Sequence, residues 1–373
     1  MTELSSGATT PRFESLLVVR LSAMGDIIHT LPAVTALREA FPHATLGWLI
    51  EERWAELLCT LRYPRSGRLS RERPLVDRVH TVDLSEWRHN FFSFNTWQQI
   101  TAGLSELHGV KYDAALDFQG AVRSALLAKW SGASTIFGAA QPRENAASMF
   151  YTRQVETDGR HVVEQALDLA GAVIGAPAIG NRSEQAPPAP GNAPSAQFPW
   201  DPDAETKISL LAADLPEYAI LNPGAGWGAK QWPAERYGAT ARELAQDGLR
   251  SLVNFGPGEE ALAAAVETAS QGASRKVSCT ISELISLMRR ARLVIAGDTG
   301  PMHLAAALQV PVVAIFGPTN PARNGPFGTR SIVLRSASSL TDHSRHREPE
   351  QGLLEITVEE VTAAARKLLG EAK

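Results

Sequence analysis

An α/β architecture of two doubly wound, parallel-sheet domains facing a cleft follows from three features of the sequence. Short continuous apolar runs alternate with segments of helical periodicity, the pattern of strands paired in parallel through crossover helices. The alternation stops in a stretch crowded with Pro, Ala, Gly, Ser and Gln, and then restarts. At 373 residues the chain also exceeds one core of ordinary size. The sequence predicts a first domain over 14–176, a Pro-rich connection over 177–202, a second domain over 203–355 and a closing helix over 356–373.

In the first domain, Leu16 to Leu21 is an unbroken apolar run with β-branched content and one Arg, as a strand buried on both faces requires. Ser22-Ala23-Met24-Gly25-Asp26 reads as a tight loop, with Gly25 suited to a close backbone approach, and Ile27 to Phe41 as a helix. Pro32 is tolerable there only within the first turns. Asp26 then stands at a helix N-terminus, either as a cap or as a cleft carboxylate. Ala44 to Ile50 is the next strand and Glu51 to Leu61 a short helix. The irregular segment after it carries Arg62, Arg65, Arg68, Arg71, Arg73 and Arg78 against Glu72 and Asp77. Such a run is a solvated surface or a face for an anionic acceptor or membrane. Val79 to Leu84 follows as an edge strand, and the aromatic-rich stretch Trp87 to Trp97 reads as core or as a lipid-facing patch. Tyr112 to Gly120 is strand and turn, Ala121 to Trp130 a helix, Thr135 to Gly138 a short strand and His161 to Ile174 an amphipathic helix.

In the second half, Tyr218 to Leu221 is a strand running into the glycine-rich loop before Lys230, and Ala234 to Gln246 is a helix. Ser251 to Gly256 is a strand, with Pro257-Gly258-Glu259-Glu260 opening the next helix. Ile281 to Arg290 is a helix feeding the strand Leu293 to Gly297, and the hinge Asp298-Thr299-Gly300-Pro301 opens another. Thr299 or Gly300 can cap this helix, and Pro301 at its first position loses an N–H that had no helical partner. The remaining first-turn amides form an anion site at the carboxyl end of a strand, with phosphate as the natural guest. Pro311 to Gly317 is a strand, Pro318 to Gly328 a turn, and Val358 to Leu369 the last helix.

A net charge of −4 argues against bulk nucleic-acid binding. Cys59 and Cys279, far apart, suggest neither a disulfide framework nor a Cys-based zinc site, and fit reduced cytosolic thiols. Residues 1–12 lack the apolar run of a signal peptide, and the apolar tract Leu304 to Gly317, broken by Gln309 and Pro311, falls short of a bilayer span. The chain is therefore expected to be cytoplasmic, or peripheral on a membrane surface. No Gly-x-Gly-x-x-Gly follows the first strand and no Gly-Lys-Ser/Thr phosphate loop is present. His303 has no metal-ligand partner at useful spacing, so no metal or other cofactor is expected.

Arg20-Leu21-Ser22-Ala23-Met24-Gly25-Asp26-Ile27-Ile28-His29-Thr30-Leu31-Pro32-Ala33 resembles the amino-terminal motif of the bacterial lipopolysaccharide heptosyltransferases of glycosyltransferase family 9, and within them the first heptosyltransferases. Asp117-Phe118-Gln119-Gly120-Ala121-Val122-Arg123-Ser124 and the stretch from Arg143-Glu144 to Phe150-Tyr151 are similar to that family's first domain. In the second domain Lys230-x-Trp232-Pro233, Gly297-Asp298-Thr299-Gly300 with His303, and Gly317-Pro318-Thr319-Asn320-Pro321 resemble the wider family. Asn222-Pro223-Gly224-Ala225-Gly226 is more similar to the second heptosyltransferases, and Glu86 is more acidic than the first enzymes tend to be beside Trp87-Arg88.

The resemblance implies the GT-B architecture of two Rossmann-like domains. It also implies metal-free, inverting transfer of heptose from ADP-heptose to an anionic Kdo-lipid A acceptor at the inner membrane. A single displacement needs one base on the acceptor hydroxyl, for which Asp26 is the choice. Lys230 and the amides after Thr299 can stabilise the departing ADP. Asp298 would repel phosphate, so sugar hydroxyls or loop bonds suit it better. Gly300, Met302 and His303 complete the donor set, with Glu259, or Glu260, for the ribose hydroxyls. Arg88, Gln119, Arg123 and Arg143 are acceptor candidates. A sugar-nucleotide epimerase and a non-catalytic ADP-sugar-binding protein are the rival readings.

Overall fold

The computed structural model describes residues 13–90, 93–175, 195–342 and 344–370. The first domain begins with β1 (Ser15–Val19), α1 (Met24–Ala40) and β2 (Thr45–Glu51), then a 3-10 turn over Glu52–Leu57 and β3 (Arg78–Val82). α2 (Leu84–His89) and α3 (Phe94–Gly109) lead to β4 (Ala114–Asp117), α4 (Val122–Trp130) and β5 (Thr135–Ala139). β6 (Arg153–Val155) and α5 (Val162–Ile174) complete it. Its sheet is parallel throughout, in the order β3-β2-β1-β4-β5-β6. β1 is central, which is why Leu16 to Val19 are fully buried.

The second domain opens with α6 (Pro202–Leu211), β7 (Tyr218–Asn222), α7 (Ala234–Gln246) and β8 (Arg250–Phe255). α8 (Glu260–Ala269), β9 (Ser274–Ser278), α9 (Ile281–Arg289), β10 (Leu293–Gly297) and α10 (Gly300–Ala307) follow. β11 (Val312–Ile315), α11 (Pro321–Asn324), β12 (Ser331–Leu334), α12 (Gln351–Glu355) and α13 (Val358–Gly370) close the chain. The order is β12-β11-β10-β7-β8-β9, again parallel. α13 shares a core with this sheet, packing Val361, Ala365 and Leu368 with Leu293, Ile295 and Val313. It is part of the second domain rather than a separate element.

In both sheets the central strand meets a helix whose N-terminus lies at its carboxyl end: β1 feeds α1, and β10 feeds α10. Those two helices pack on each other across the domain boundary. One apolar cluster runs through the contact, including Ile27, Ile28 and Leu31 of α1 and Met302, Leu304 and Ala305 of α10.

Several local expectations are corrected. α1 starts at Met24 rather than Ile27, so Pro32 sits in its interior and removes the bond to the Ile28 carbonyl. Asp26 is accordingly not the N-cap; Ala23 is, and Asp26 lies in the first turn. Pro301 is the second residue of α10, with Thr299 at the N-cap position. The stretch from Trp87 to Trp97 is divided: Trp87 packs against the core as read, whereas Phe94 is 75% and Trp97 45% exposed on the first turns of α3. Phe91 and Phe92 lie outside the described residues, as does most of the Pro-rich connection; its described end, 195–201, leads straight into α6.

The arginine-rich segment is not a free basic face either. Arg73 is fully buried and donates to the carbonyls of Pro64, Arg68 and Val76. Arg65 pairs with Glu52 and Thr81, and Arg62 reaches Asp203 of the second domain at 2.6 Å. The guanidinium of Arg71 lies 5.6 Å from the Trp200 ring centroid. These cations pin the segment down, because a guanidinium's five donors can satisfy several carbonyls at once.

Candidate active site

The loop after β1 is built from the end of β4, beside which it lies in register (Val19 opposite Asp117). Asp117 is buried; its Oδ1 accepts the Gln119 and Gly120 amides at 2.9 and 3.2 Å, and its Oδ2 accepts Ser124 Oγ and Tyr151 Oη at 2.9 and 2.8 Å. Burial raises its pKa despite those bonds. The turn so fixed aims Gln119 Oε1 at the amides of Leu21 and Ser22, at 3.0 and 3.3 Å. Gln119 thus shapes the loop that carries Asp26, with its acceptor oxygen already committed.

Asp26 is half-open, its side chain 42% exposed. Oδ2 accepts the Ala23 N–H at 3.2 Å, satisfying the N-cap amide from within the helix, and Oδ1 lies 3.0 Å from Arg20 Nη2. Arg20 also donates to the Phe118 carbonyl. The carboxylate is therefore oriented on one side by a guanidinium and a backbone amide, with its remaining surface open to solvent.

Across the interface, the loop after β7 and the hinge after β10 bring Lys230 and Asp298 together, Nζ to Oδ2 at 2.6 Å. Asp298 Oδ1 lies 3.2 Å from His303 Nε2, one turn into α10. Burial pushes the Asp298 carboxyl up, but the hydrogen bond to His303 and the charge and hydrogen bond of Lys230 outweigh it and hold the group well below the usual carboxylate range. Lys230 Nζ also lies 4.5 Å from the Trp227 ring centroid, and Arg345 Cζ 5.8 Å from it. Thr299 does not cap with its side chain, donating instead to the Gly297 carbonyl at 3.3 Å. The Gly300 and Met302 amides of α10 meet no acceptor among the described residues. Glu259 accepts the Gly256 amide at 2.9 Å and lies against Gly224, where a Cβ would fall 2.1 Å from its Oε1.

The two half-sites touch. A Cβ on Gly25 would lie 2.6 Å from His303 Cδ2, and one on Gly300 would lie 2.7 Å from Met24 Sδ, so each glycine is required by the other domain's side chain. The close approach read at Gly25 is thus to a histidine of the second domain. His29 Nε2 meets His303 Nδ1 at 3.0 Å. His161 accepts the Val163 amide on Nδ1, so its Nε2 carries the proton and donates to Gly325 of the second domain at 3.1 Å.

Gly25, the neighbour of Asp26, meets His303 at this contact, and Asp298 and Lys230 are linked to it through His303, with Gly300 against Met24 and Glu259 further along the same sheet edge. The Met302 side chain is fully buried in the core, leaving only its amide for a donor, and Glu260 is exposed at the start of α8. Arg123 and Arg143 are exposed on one loop cluster, because Glu144 bonds both Val122 and Gly120. Arg88 is exposed on α2 after the edge strand β3, whereas Arg123 and Arg143 follow β4 and β5, three and four strands away in the sheet. The structure does not gather it with the other two. Arg20, His29, His161, Trp227 and Arg345 had no assigned role in sequence; only the positions of Arg20 and His29 flanking Asp26 carried a signal. Among the described residues, no group of three or more His, Cys, Asp or Glu is arranged to hold a metal ion.

Two parallel, doubly wound domains whose central-strand helices α1 and α10 meet at their N-termini are the GT-B architecture. The chain belongs to glycosyltransferase family 9 (heptosyltransferase), whose family model matches residues 101–353. It is 29% identical to lipopolysaccharide heptosyltransferase 1 of Pseudomonas aeruginosa over 86% of this chain and 83% of that protein. Its fold matches Escherichia coli heptosyltransferase WaaC with ADP at a TM-score of 0.74 and 26% identity, over 95% of this chain and 99% of that one. The same enzyme with ADP-2-deoxy-2-fluoro heptose matches at 0.72 with the same identity and coverage.

Proposed function

We propose that the protein transfers a heptose from ADP-heptose to the inner core of lipopolysaccharide, on a Kdo-lipid A acceptor, with inversion at the anomeric carbon. The observation that carries this reading is that the start of α1, which bears Asp26, abuts the start of α10, whose His303 bonds the Asp298 that holds Lys230. It is supported by the ADP and ADP-sugar analogue named in the WaaC structures.

In one displacement the acceptor hydroxyl attacks the anomeric carbon as its proton passes to Asp26. The bond from that carbon to the diphosphate oxygen breaks, and ADP leaves with the electron pair. Charge on the leaving oxygen peaks in the transition state, where the Lys230 ammonium and the Gly300 and Met302 amides act most strongly. Asp298, held ionised beside Lys230, turns its remaining acceptor capacity to sugar hydroxyls rather than phosphate. Glu259, closed against Gly224, takes the ribose hydroxyls.

Arg123 and Arg143 give the acceptor's anionic groups a common cationic rim, and Arg88 acts at a second point on a large acceptor. A lipid-borne acceptor calls for peripheral contact with the cytoplasmic face of the inner membrane. No described helix is long and apolar enough to cross a membrane, and Phe94 and Trp97 offer exposed apolar surface on α3. The test is a mass-spectrometric assay of ADP release and acceptor mass with a panel of ADP- and UDP-sugars, with the product anomer assigned by NMR. Release of ADP coupled to a heptose-sized gain on the acceptor is expected. Sugar-nucleotide turnover without acceptor would instead point to an epimerase.

A further inference from the structure

α1 presents two side chains from one stretch of its surface: Asp26 and, three residues on, His29. His29 is buried between the domains, with His161 of α5 edge-on at 5.4 Å between ring centroids and His303 of α10 at 4.1 Å. From His29 an unbroken chain of polar contacts leaves the first domain: Nε2 to His303 Nδ1 at 3.0 Å, His303 Nε2 to Asp298 Oδ1 at 3.2 Å, and Asp298 Oδ2 to Lys230 Nζ at 2.6 Å.

Proton counting makes the chain directional. Asp298 is ionised, so His303 Nε2 must carry a hydrogen. Between His303 Nδ1 and His29 Nε2 only one hydrogen fits; two would place N–H groups head to head. His29, kept neutral by burial, carries a single hydrogen, and a buried N–H without an acceptor is costlier than a buried lone pair, so that hydrogen sits on Nε2 and is donated to His303 Nδ1. His29 Nδ1 is then a bare lone pair, and it has no partner among the described residues. That is the form burial tolerates best, and burial, followed by the neighbouring histidines and Arg20, drives the His29 pKa well below its usual value. His29 is thereby a fixed donor, and it sets the His303 ring plane that aims Nε2 at Asp298.

We infer that His29 is a positioning residue for the donor site: through His303 and Asp298, the first domain holds the Lys230 ammonium in place and locks the register between Asp26 and the donor diphosphate. This rests on the proposed reading that Lys230 meets that diphosphate. Donor affinity is then a property of both domains, although every group that touches the diphosphate lies in the second.

The test is a double-variant cycle on the full chain, with ADP affinity measured by titration calorimetry. Lys230→Ala is expected to weaken ADP at least tenfold. His29→Ala is expected to weaken it roughly tenfold, the scale of one buried hydrogen bond, with no further loss when made in the Lys230→Ala background. His29→Gln, whose amide N–H can reach the place of Nε2, should recover affinity to within about threefold of wild type, whereas the shorter His29→Asn should not. Thr35→Val, at a buried α1 position bonded only to carbonyls, should lower thermal stability and leave ADP affinity unchanged. Unchanged ADP affinity in His29→Ala, or independent, multiplying losses in the double variant, overturns the inference alone. Normal ADP affinity in Lys230→Ala overturns the donor-site reading and the inference with it. Should His29→Ala fail to fold, equal affinities in the Gln and Asn variants overturn the inference.

Discussion

Replacing Asp26 by Asn separates proton acceptance from every structural duty the residue has. The Asn carbonyl oxygen can still accept the Ala23 amide, so the helix start is kept. What the fold loses is the 3.0 Å contact with Arg20, and with the carboxylate side chain 42% exposed, such a pair contributes about 0–1 kcal/mol. What the chemistry loses is its base, worth typically 10²–10⁴-fold, or roughly 3–5 kcal/mol at 1.36 kcal/mol per decade. The two magnitudes do not overlap. Asp26→Asn should therefore fold, melt within a few degrees of wild type and bind ADP normally, because no donor-binding group has changed. Its kcat should fall at least a hundredfold. The assay is single-turnover ADP release with donor and acceptor saturating, so that product release does not mask the chemical step. Retention of more than about a tenth of the wild-type rate would refute the base assignment and leave Asp26 as a helix-start residue only.

Lys230→Ala should raise the donor KM and lower kcat together, and Lys230→Arg should restore only part of the loss, since a planar fork replaces a compact ammonium beside Asp298; steady-state kinetics with both substrates varied would show neither change if Lys230 lies outside the site. Activity should persist in excess EDTA, because the carboxylate nearest the donor hinge is already held by Lys230 and His303; complete loss restored by Mg²⁺ or Mn²⁺ would mean the leaving-group chemistry is different. Burial pushes the His161 pKa down from 6.5 to about 4, so the unfolded chain takes up a proton where the folded one does not. Its contribution is full above pH 6.5 and is lost as pH falls toward 4, a difference on the order of 3 kcal/mol at 1.36 kcal/mol per pH unit. Urea denaturation from pH 7.5 to 4 should show that slope, flattened in His161→Gln; identical slopes in the two proteins would contradict it.

The parts of the fold that could be read from the sequence were those governed by a single local rule. β1 and β10 were plain because central parallel strands are buried on both faces and must be continuously apolar. β9 and β12 were not, since Ser274-Arg275-Lys276-Val277-Ser278 and Ser331-Ile332-Val333-Leu334 lie at or near sheet edges, where burial is partial and the apolar signal weak. α3 was hidden for the opposite reason: Phe94 and Trp97 looked like core on composition, yet both face outward. In the site, Asp26, Lys230 and Asp298 could be named because each lies in a motif at a strand end. Their partners could not. Lys230 to Asp298 spans three crossovers of the second domain, and His29 to His303 joins the two domains; pairing over that distance is set by tertiary packing, on which local periodicity is silent.

The same packing explains why a carboxylate stands at a site read as a phosphate cradle. Lys230 is 10% exposed and Asp298 9%, and a cation that deep is costly without a counter-charge. Asp298, 2.6 Å from Lys230 Nζ, meets that need and is itself kept ionised by His303 and Lys230. The pair is close to neutral, so under the proposed reading a diphosphate would be drawn chiefly by the first-turn amides of α10. α10, whose first turn carries those amides, lies against α1. Gly25 and Gly300 permit that approach and the His29–His303 contact fixes it, so the donor hinge and the proposed base are set by one interface. A substitution there should change donor affinity and the chemical rate together, whereas a change at Glu259, held at the Gly224 and Gly256 loops and proposed to take the ribose hydroxyls, should act on donor affinity alone.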